Sequence, residues 1–263
     1  MKNIITIVFA ALLFTSCEKV VDIGYNENQS GIIIEGNVTN QIGPYFVKIT
    51  RSIRLADTLG NPTIDNAIVS ISDDAGNNDQ LIPQGNGLYR TTVLKGVEGR
   101  TYTLIVKTEN KIYTAKSTMP KLVPFDSIRV DDNTFAGEME YNLIPKYKDP
   151  TAKGNNYRFV LRLNNKLVNQ HFILDDVVIN GIVNTLRLEI NDDDYKVKPG
   201  DLVSISMECI DEKVALYYKT LALMADSGPG GGTTPSNPPN NLSDGALGLF
   251  SAHTEQNRSK IVP

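Results

Sequence analysis

The sequence predicts a mainly β fold, an immunoglobulin-like β-sandwich over residues 31–120 followed by a second β-rich domain, sandwich or barrel-like, over residues 121–263. Three observations carry this. Short runs rich in β-branched and aromatic residues recur from Gly31 onward, each bounded by Gly, Pro, Asn or Asp. Within them side chains alternate in character, as Tyr102, Leu104 and Val106 do against Thr103, Ile105 and Lys107, so that one face of a strand is buried and the other is wet. Helical periodicity is convincing in one stretch, Asp211–Ala225, where Val214, Tyr217, Tyr218, Leu221 and Met224 form an apolar stripe behind an acidic start.

In chain order, the first element is an address. Lys2 precedes the apolar run Ile4–Phe14, with small residues just before Cys17, which is the pattern of a secretory signal peptide over residues 1–16. A spanning helix would need about 20 apolar residues, and this run stops at Thr15-Ser16-Cys17-Glu18-Lys19. A single cysteine directly after small residues resembles the lipobox of bacterial lipoproteins, although Phe14 stands where Leu is usual. The resemblance implies that Cys17 becomes the acylated first residue of the mature chain, and several acyl chains anchor a protein stably to a bilayer. Residues 17–30 are expected to be a tether.

The first β domain is assembled from runs at Ile32–Val38, Tyr45–Thr50, Ala67–Ser72, Leu81-Ile82, Leu88–Val93, Tyr102–Lys107 and Ile112–Ser117. About seven strands at such spacing fit an immunoglobulin-like sandwich, and Gly99-Arg100-Thr101-Tyr102 is placed like a tyrosine corner, without the Cys and Trp of true immunoglobulin domains. The acidic stretch Asp73–Asp79 fails as a calcium loop, because Asn78 and Gln84 stand where an EF-hand needs Gly and Glu. Ordinary hairpin chemistry accounts for it.

Two prolines in Met119–Pro124 mark the expected boundary. Beyond it, strands are predicted at Ser127–Val130, Met139–Ile144, Tyr157–Leu163, Gln170–Leu174, Thr185–Ile190 and Leu202–Met207, and Arg158 and Arg162 on one strand face read as ion-paired or solvated surface. After the helix, Gly228–Pro239 lacks the Gly-Lys-Ser/Thr ending of a phosphate loop and reads as a flexible loop. Gly245–Ala252 reads as a returning strand whose glycines signal a bulge or close backbone approach.

Taken together, Cys17–Ile23, Ile34–Thr39, Val69–Asp73, Gly87-Leu88-Tyr89, Gly99–Val106 and the closing Asn240–Ala252 resemble a family of Bacteroidota lipoproteins that share a domain of unknown function, the DUF4249 type. The resemblance covers nearly the whole mature chain. It implies an outer-membrane lipoprotein often encoded beside a TonB-dependent receptor, and it supplies no catalytic residues.

Chemistry is sparse. Lys and Arg number 26 against 30 Asp and Glu, a formal charge of −4 that argues against nucleic acid. Of the two cysteines, Cys209 sits among alternating apolar residues and reads as a buried structural thiol. His171 and His253 are the only histidines, and each reads as satisfied or surface. Neither Gly-x-Ser-x-Gly nor His-Glu-x-x-His occurs, while Asp175-Asp176 and Asp192–Asp194 are acids in turn contexts. The expectation is therefore a non-enzymatic protein without cofactor or metal, bound to the outer membrane through Cys17. Its expected role is a binding or accessory component of a TonB-dependent transport system, with a structural or adhesive surface module as the alternative and a ligand the sequence does not name. Asp57-Thr58-Leu59 and Asp126-Ser127-Ile128 resemble the Asp-Ser/Thr-aliphatic acceptor of Bacteroidota O-glycosylation, making Thr58 and Ser127 candidate modification sites. Asn37 and Asn241 fit the eukaryotic sequon, which a bacterial lipoprotein would not ordinarily use.

Overall fold

Fifteen strands alternate with tight turns through residues 31–53, 60–135, 138–190, 195–226 and 237–263, the parts of the chain that the computed structural model describes. The first eight are β1 (Ile32–Thr39), β2 (Phe46–Arg51), β3 (Ile68–Asp73), β4 (Asn78–Gln80), β5 (Ile82–Gly85), β6 (Leu88–Arg90), β7 (Thr101–Thr108) and β8 (Lys111–Thr118). There follow β9 (Phe125–Phe135), β10 (Glu138–Tyr147), β11 (Asn156–Leu163), β12 (Lys166–Leu167), β13 (Phe172–Asp175), a single helical turn α1 (Asp176–Ile179), β14 (Leu202–Ile210), the long helix α2 (Glu212–Asp226) and β15 (Leu247–Ile261). Turn chemistry is as the residues require: Asn86-Gly87 and Asn164-Asn165 take positive φ in two-residue hairpin loops.

Nine strands make one sheet in the order β12-β11-β14-β15-β1-β2-β6-β5, with β13 also on β11; β4-β3-β7-β8 and β9-β10 form two further sheets. None closes into a barrel, so the second half is open and sandwich-like. The four-stranded sheet faces the β1 end of the large sheet across a core that includes Ile34, Val47, Ile49, Ile71, Tyr89, Tyr102 and Leu104. A second core, with Phe125, Tyr147, Tyr157, Phe159, Leu161, Val203 and Ile205, lies between the β9–β10 hairpin and the β11–β14 end.

The last strand links the two. From Ile33↔Leu247 to Thr39↔His253, β15 runs parallel to β1; from Leu202↔Ile261 to Cys209↔Thr254 it runs antiparallel to β14. Phe250 and Ala252 therefore belong to the first core, while Val262, just beyond the strand, belongs to the second. The chain crosses Met119–Pro124 without a strand, and the two halves are joined through β15 instead.

Three buried tyrosines brace the first half. The Tyr102 hydroxyl donates to Lys95 O (2.9 Å) and accepts from Val97 N (2.7 Å), a tyrosine corner in geometry. Tyr45 spans Gln41 O and Gly96 N in the same way, and Tyr89 spans Ile64 O and Ala67 N. The Asp73–Asn78 turn is a hairpin: Asp73 Oδ1 accepts from Ala75 N and Asn77 N, and Arg100 pairs with its other oxygen.

Two expected strands differ. Thr185–Ile190 forms no ladder and meets β10 only at the bridge Leu143↔Leu188. Asn184, fully buried, takes the backbone instead: its amide donates to Pro145 O and Leu186 O while its carbonyl accepts from Leu186 N. The strand expected to end at Ala252 runs on to Ile261.

Candidate functional site

The outer face of the large sheet is covered by α2. Asp211 caps this helix, with Oδ1 accepting from Val214 N (3.0 Å), and its Oδ2 accepts from the Ser117 hydroxyl on β8. Val214 and Ala215 pack on Ile210 and Leu249, with Tyr217 and Tyr218 alongside. Beneath the tyrosines the sheet turns polar. Arg158, Glu208 and Glu255 occupy one rung across three neighbouring strands, β11, β14 and β15. Arg158 Nη1 donates to Glu208 Oε2 at 2.7 Å, and the guanidinium carbon lies 4.1 Å from the Tyr218 ring centre. Burial works against the Arg158 cation, but the Glu208 carboxylate outweighs it and raises the arginine pKa. The Tyr218 ring also meets His171 at 5.4 Å, and burial together with the Arg158 charge lowers that imidazole's pKa. Lys219 reaches from the helix to Asp175 at 2.8 Å.

Glu208, His253 and Glu255 converge, with one ligand atom of each lying within 4.8 Å of the others. The period-two alternation of a strand places His253 and Glu255 on the same face of β15, and the antiparallel register sets Glu255 directly opposite Glu208. Their surroundings fix them. His253 Nδ1 is 2.9 Å from the Ser251 hydroxyl, leaving Nε2 as the nitrogen for any other partner. The Glu255 backbone is held at both ends, N donating to Asn40 Oδ1 (2.8 Å) and O accepting from Gln41 Nε2 (3.1 Å). Glu208 and His253 are buried, and Glu255 is half-buried. One imidazole and two carboxylates form a nitrogen and oxygen donor set of the kind that suits zinc and related divalent ions.

A family model described as a domain of unknown function, DUF4249, matches residues 18–259. The chain belongs to the DUF4249 family. Among curated proteins none matches it. The DUF4249 match begins directly after Cys17 and takes in the first core, all of the second but Val262, and nearly all of β15.

Within this DUF4249 fold Arg158 and His253, both noted in the sequence, meet at the polar rung, and His171 lies beside it against Tyr218. Cys17, Thr58 and Asp192–Asp194 lie outside the described residues. Ser127 is exposed on β9, opposite Lys146, at a shallow groove of about 500 Å³ bordered by Arg129, Arg258 and Lys260. Asp175 and Asp176 are structural: the first caps α1 and pairs with Lys219, the second accepts from Gly154 N and Asn155 N. Asn241 spends its side chain on the backbone of Lys116 and Phe250. Cys209 is buried in the second core, and burial raises its thiol pKa. Sequence reasoning passed over His253 as a lone histidine. The signal was the alternation His253-x-Glu255, visible only once the strand is known to continue past Ala252.

Proposed function

We propose that the protein is an outer-membrane lipoprotein, anchored through acylated Cys17, that acts by binding rather than catalysis as an accessory component of a TonB-dependent transport system. The observation that carries this reading is the order of the sequence: a basic residue, an apolar run, small residues and Cys17, with the family domain starting at Glu18. A domain that begins where lipobox cleavage would place the mature terminus is what an exported, lipid-tethered module requires. The large sheet and its covering helix then present surfaces for a ligand or a partner.

Fractionation of cells carrying Cys17→Ala tests the anchor, and the variant is expected in the soluble periplasmic fraction or at precursor length. Membrane association equal to the native protein's would remove the anchor from this reading. Purification of the native protein from detergent-solubilised outer membranes tests the partner: a TonB-dependent receptor in stoichiometric amount supports the transport role. Its absence, with adhesion of cells lost on deletion, would replace that role with the adhesive one.

A further inference from the structure

We infer that Glu208, His253 and Glu255 form a binding site for a divalent metal ion of the zinc type, set on the outer face of the sheet beside α2. Charge is the first argument. Glu208 and Glu255 stand directly opposite one another on adjacent strands, an arrangement that repels unless a cation intervenes. Among the described residues Arg158 supplies one positive charge, through Glu208 Oε2, so the second carboxylate calls for another cation on the side where His253 lies.

The groups are also held in the way metal ligands are held. A ligating histidine ordinarily engages its other ring nitrogen, and ligating carboxylates are themselves hydrogen-bonded. Here Ser251 takes His253 Nδ1, Arg158 takes one oxygen of Glu208, and Asn40 and Gln41 fix the backbone of Glu255. With donor atoms already within 4.8 Å of each other, bonds of about 2.0–2.2 Å to zinc need the atoms to close by roughly an ångström. Rotation about the glutamate side-chain bonds supplies that movement.

Three protein ligands with a fourth position open to water is a familiar zinc arrangement, and Glu208, His253 and Glu255 supply that number.

The test uses the full-length chain in detergent, stripped with a chelator and titrated with Co²⁺ and then Zn²⁺. One equivalent of Co²⁺ is expected to give visible d–d absorption that Zn²⁺ abolishes, and Zn²⁺ is expected to raise Tm. His253→Gln and Glu255→Gln should each weaken binding by roughly tenfold or more, and Ser251→Ala, which spares the ligands, should weaken it less. Asp175→Asn, a carboxylate change elsewhere under the helix, should leave the titration unaltered. Far-UV circular dichroism identifies any variant that fails to fold, and the native chain alone suffices to decide: no saturable uptake of either ion at micromolar concentration overturns the inference, and so does binding kept intact in folded His253→Gln and Glu255→Gln. Uptake is independent of whether Cys17 is the anchor, so failure here and failure of the lipoprotein reading are separate results.

Discussion

Gly248 and Ile34 face each other across the parallel β1–β15 ladder, and a Cβ on Gly248 would stand 2.2 Å from the Ile34 carbonyl oxygen. Gly248 also has φ +96°, a conformation that side chains strongly disfavour. Because β15 holds the first half of the chain to the second, Gly248→Ala strikes the junction itself, through backbone strain and steric displacement together. The expected loss is about 3 kcal/mol, or about 6 °C or more in Tm for a chain of this size. Gly245→Ala is the matched control, since its φ of +72° carries the strain but nothing lies within 4 Å of the added carbon; about 1 kcal/mol is expected there. Equal losses in the two variants would show that the close approach to Ile34 is not what demands glycine.

Asp79 should govern acid stability. It is 3 % exposed and accepts from the backbone N–H groups of Thr92 (2.8 Å), Val93 (2.7 Å) and Leu94 (2.8 Å) and from the Thr92 hydroxyl (2.7 Å). Burial pushes its pKa up, but the donors outweigh burial and hold it below the ordinary carboxylate value. A carboxyl depressed in the folded state contributes stability that is present above its unfolded pKa of about 3.9 and lost as pH falls through the lower folded value. Asp79→Asn is therefore expected to cost about 2–3 kcal/mol at pH 7, with the gap to the native protein narrowing below about pH 4. Urea midpoints at neutral and acid pH measure this, and a gap that stays constant on acidification would refute the assignment.

Asp79 also marks where sequence reasoning stopped. The strands of the first half were legible because alternation such as Tyr102, Leu104 and Val106 is a local signal, and the helix was legible because its stripe and its acidic start are local too. Asp79 read as one more polar turn residue, since the N–H groups that need it come from Thr92, Val93 and Leu94 on a distant segment. Asp149 was silent for the same reason: its partners are the Tyr157 hydroxyl and Gly181 N. The polar rung was the least legible of all. Arg158, Glu208 and Glu255 come from three strands, and a register between strands far apart in sequence is set by the whole fold rather than by any window of residues.

Arg158 and Arg162 share a strand face and should differ sharply. Arg158 is paired with Glu208 and stacked on Tyr218, while Arg162 is exposed. Arg158→Met leaves Glu208, whose side chain is 9 % exposed, without its counter-charge, and about 2–3 kcal/mol should be lost. Arg162→Met should stay within about 0.5 kcal/mol. Arg158→Lys keeps the charge but not the planar stacking, so it should recover only part of the loss. Chemical denaturation of the three variants decides this, and adding Glu208→Gln to Arg158→Met should restore stability if the unpaired carboxylate is the cause. A double variant no better than Arg158→Met would assign the loss to packing against Tyr218 instead.

Cys209 offers a probe of the second core that needs no change to the residues around it. Its side chain is buried in the second core at 4 % exposure, and burial raises the thiol pKa, so both access and thiolate formation oppose reaction. In a Cys17→Ala background it is the one thiol in the chain. A disulfide reagent at pH 8 should modify the folded protein roughly a thousandfold more slowly than the denatured one, because labelling must wait for an opening of the core that folded domains rarely make. The rate should climb steeply with urea as β14 is released, and one equivalent should be incorporated at the end. Labelling of the native protein within tenfold of the denatured rate would mean that the β11–β14 end of the sheet opens on its own, and that the second core is much less stable than its packing indicates.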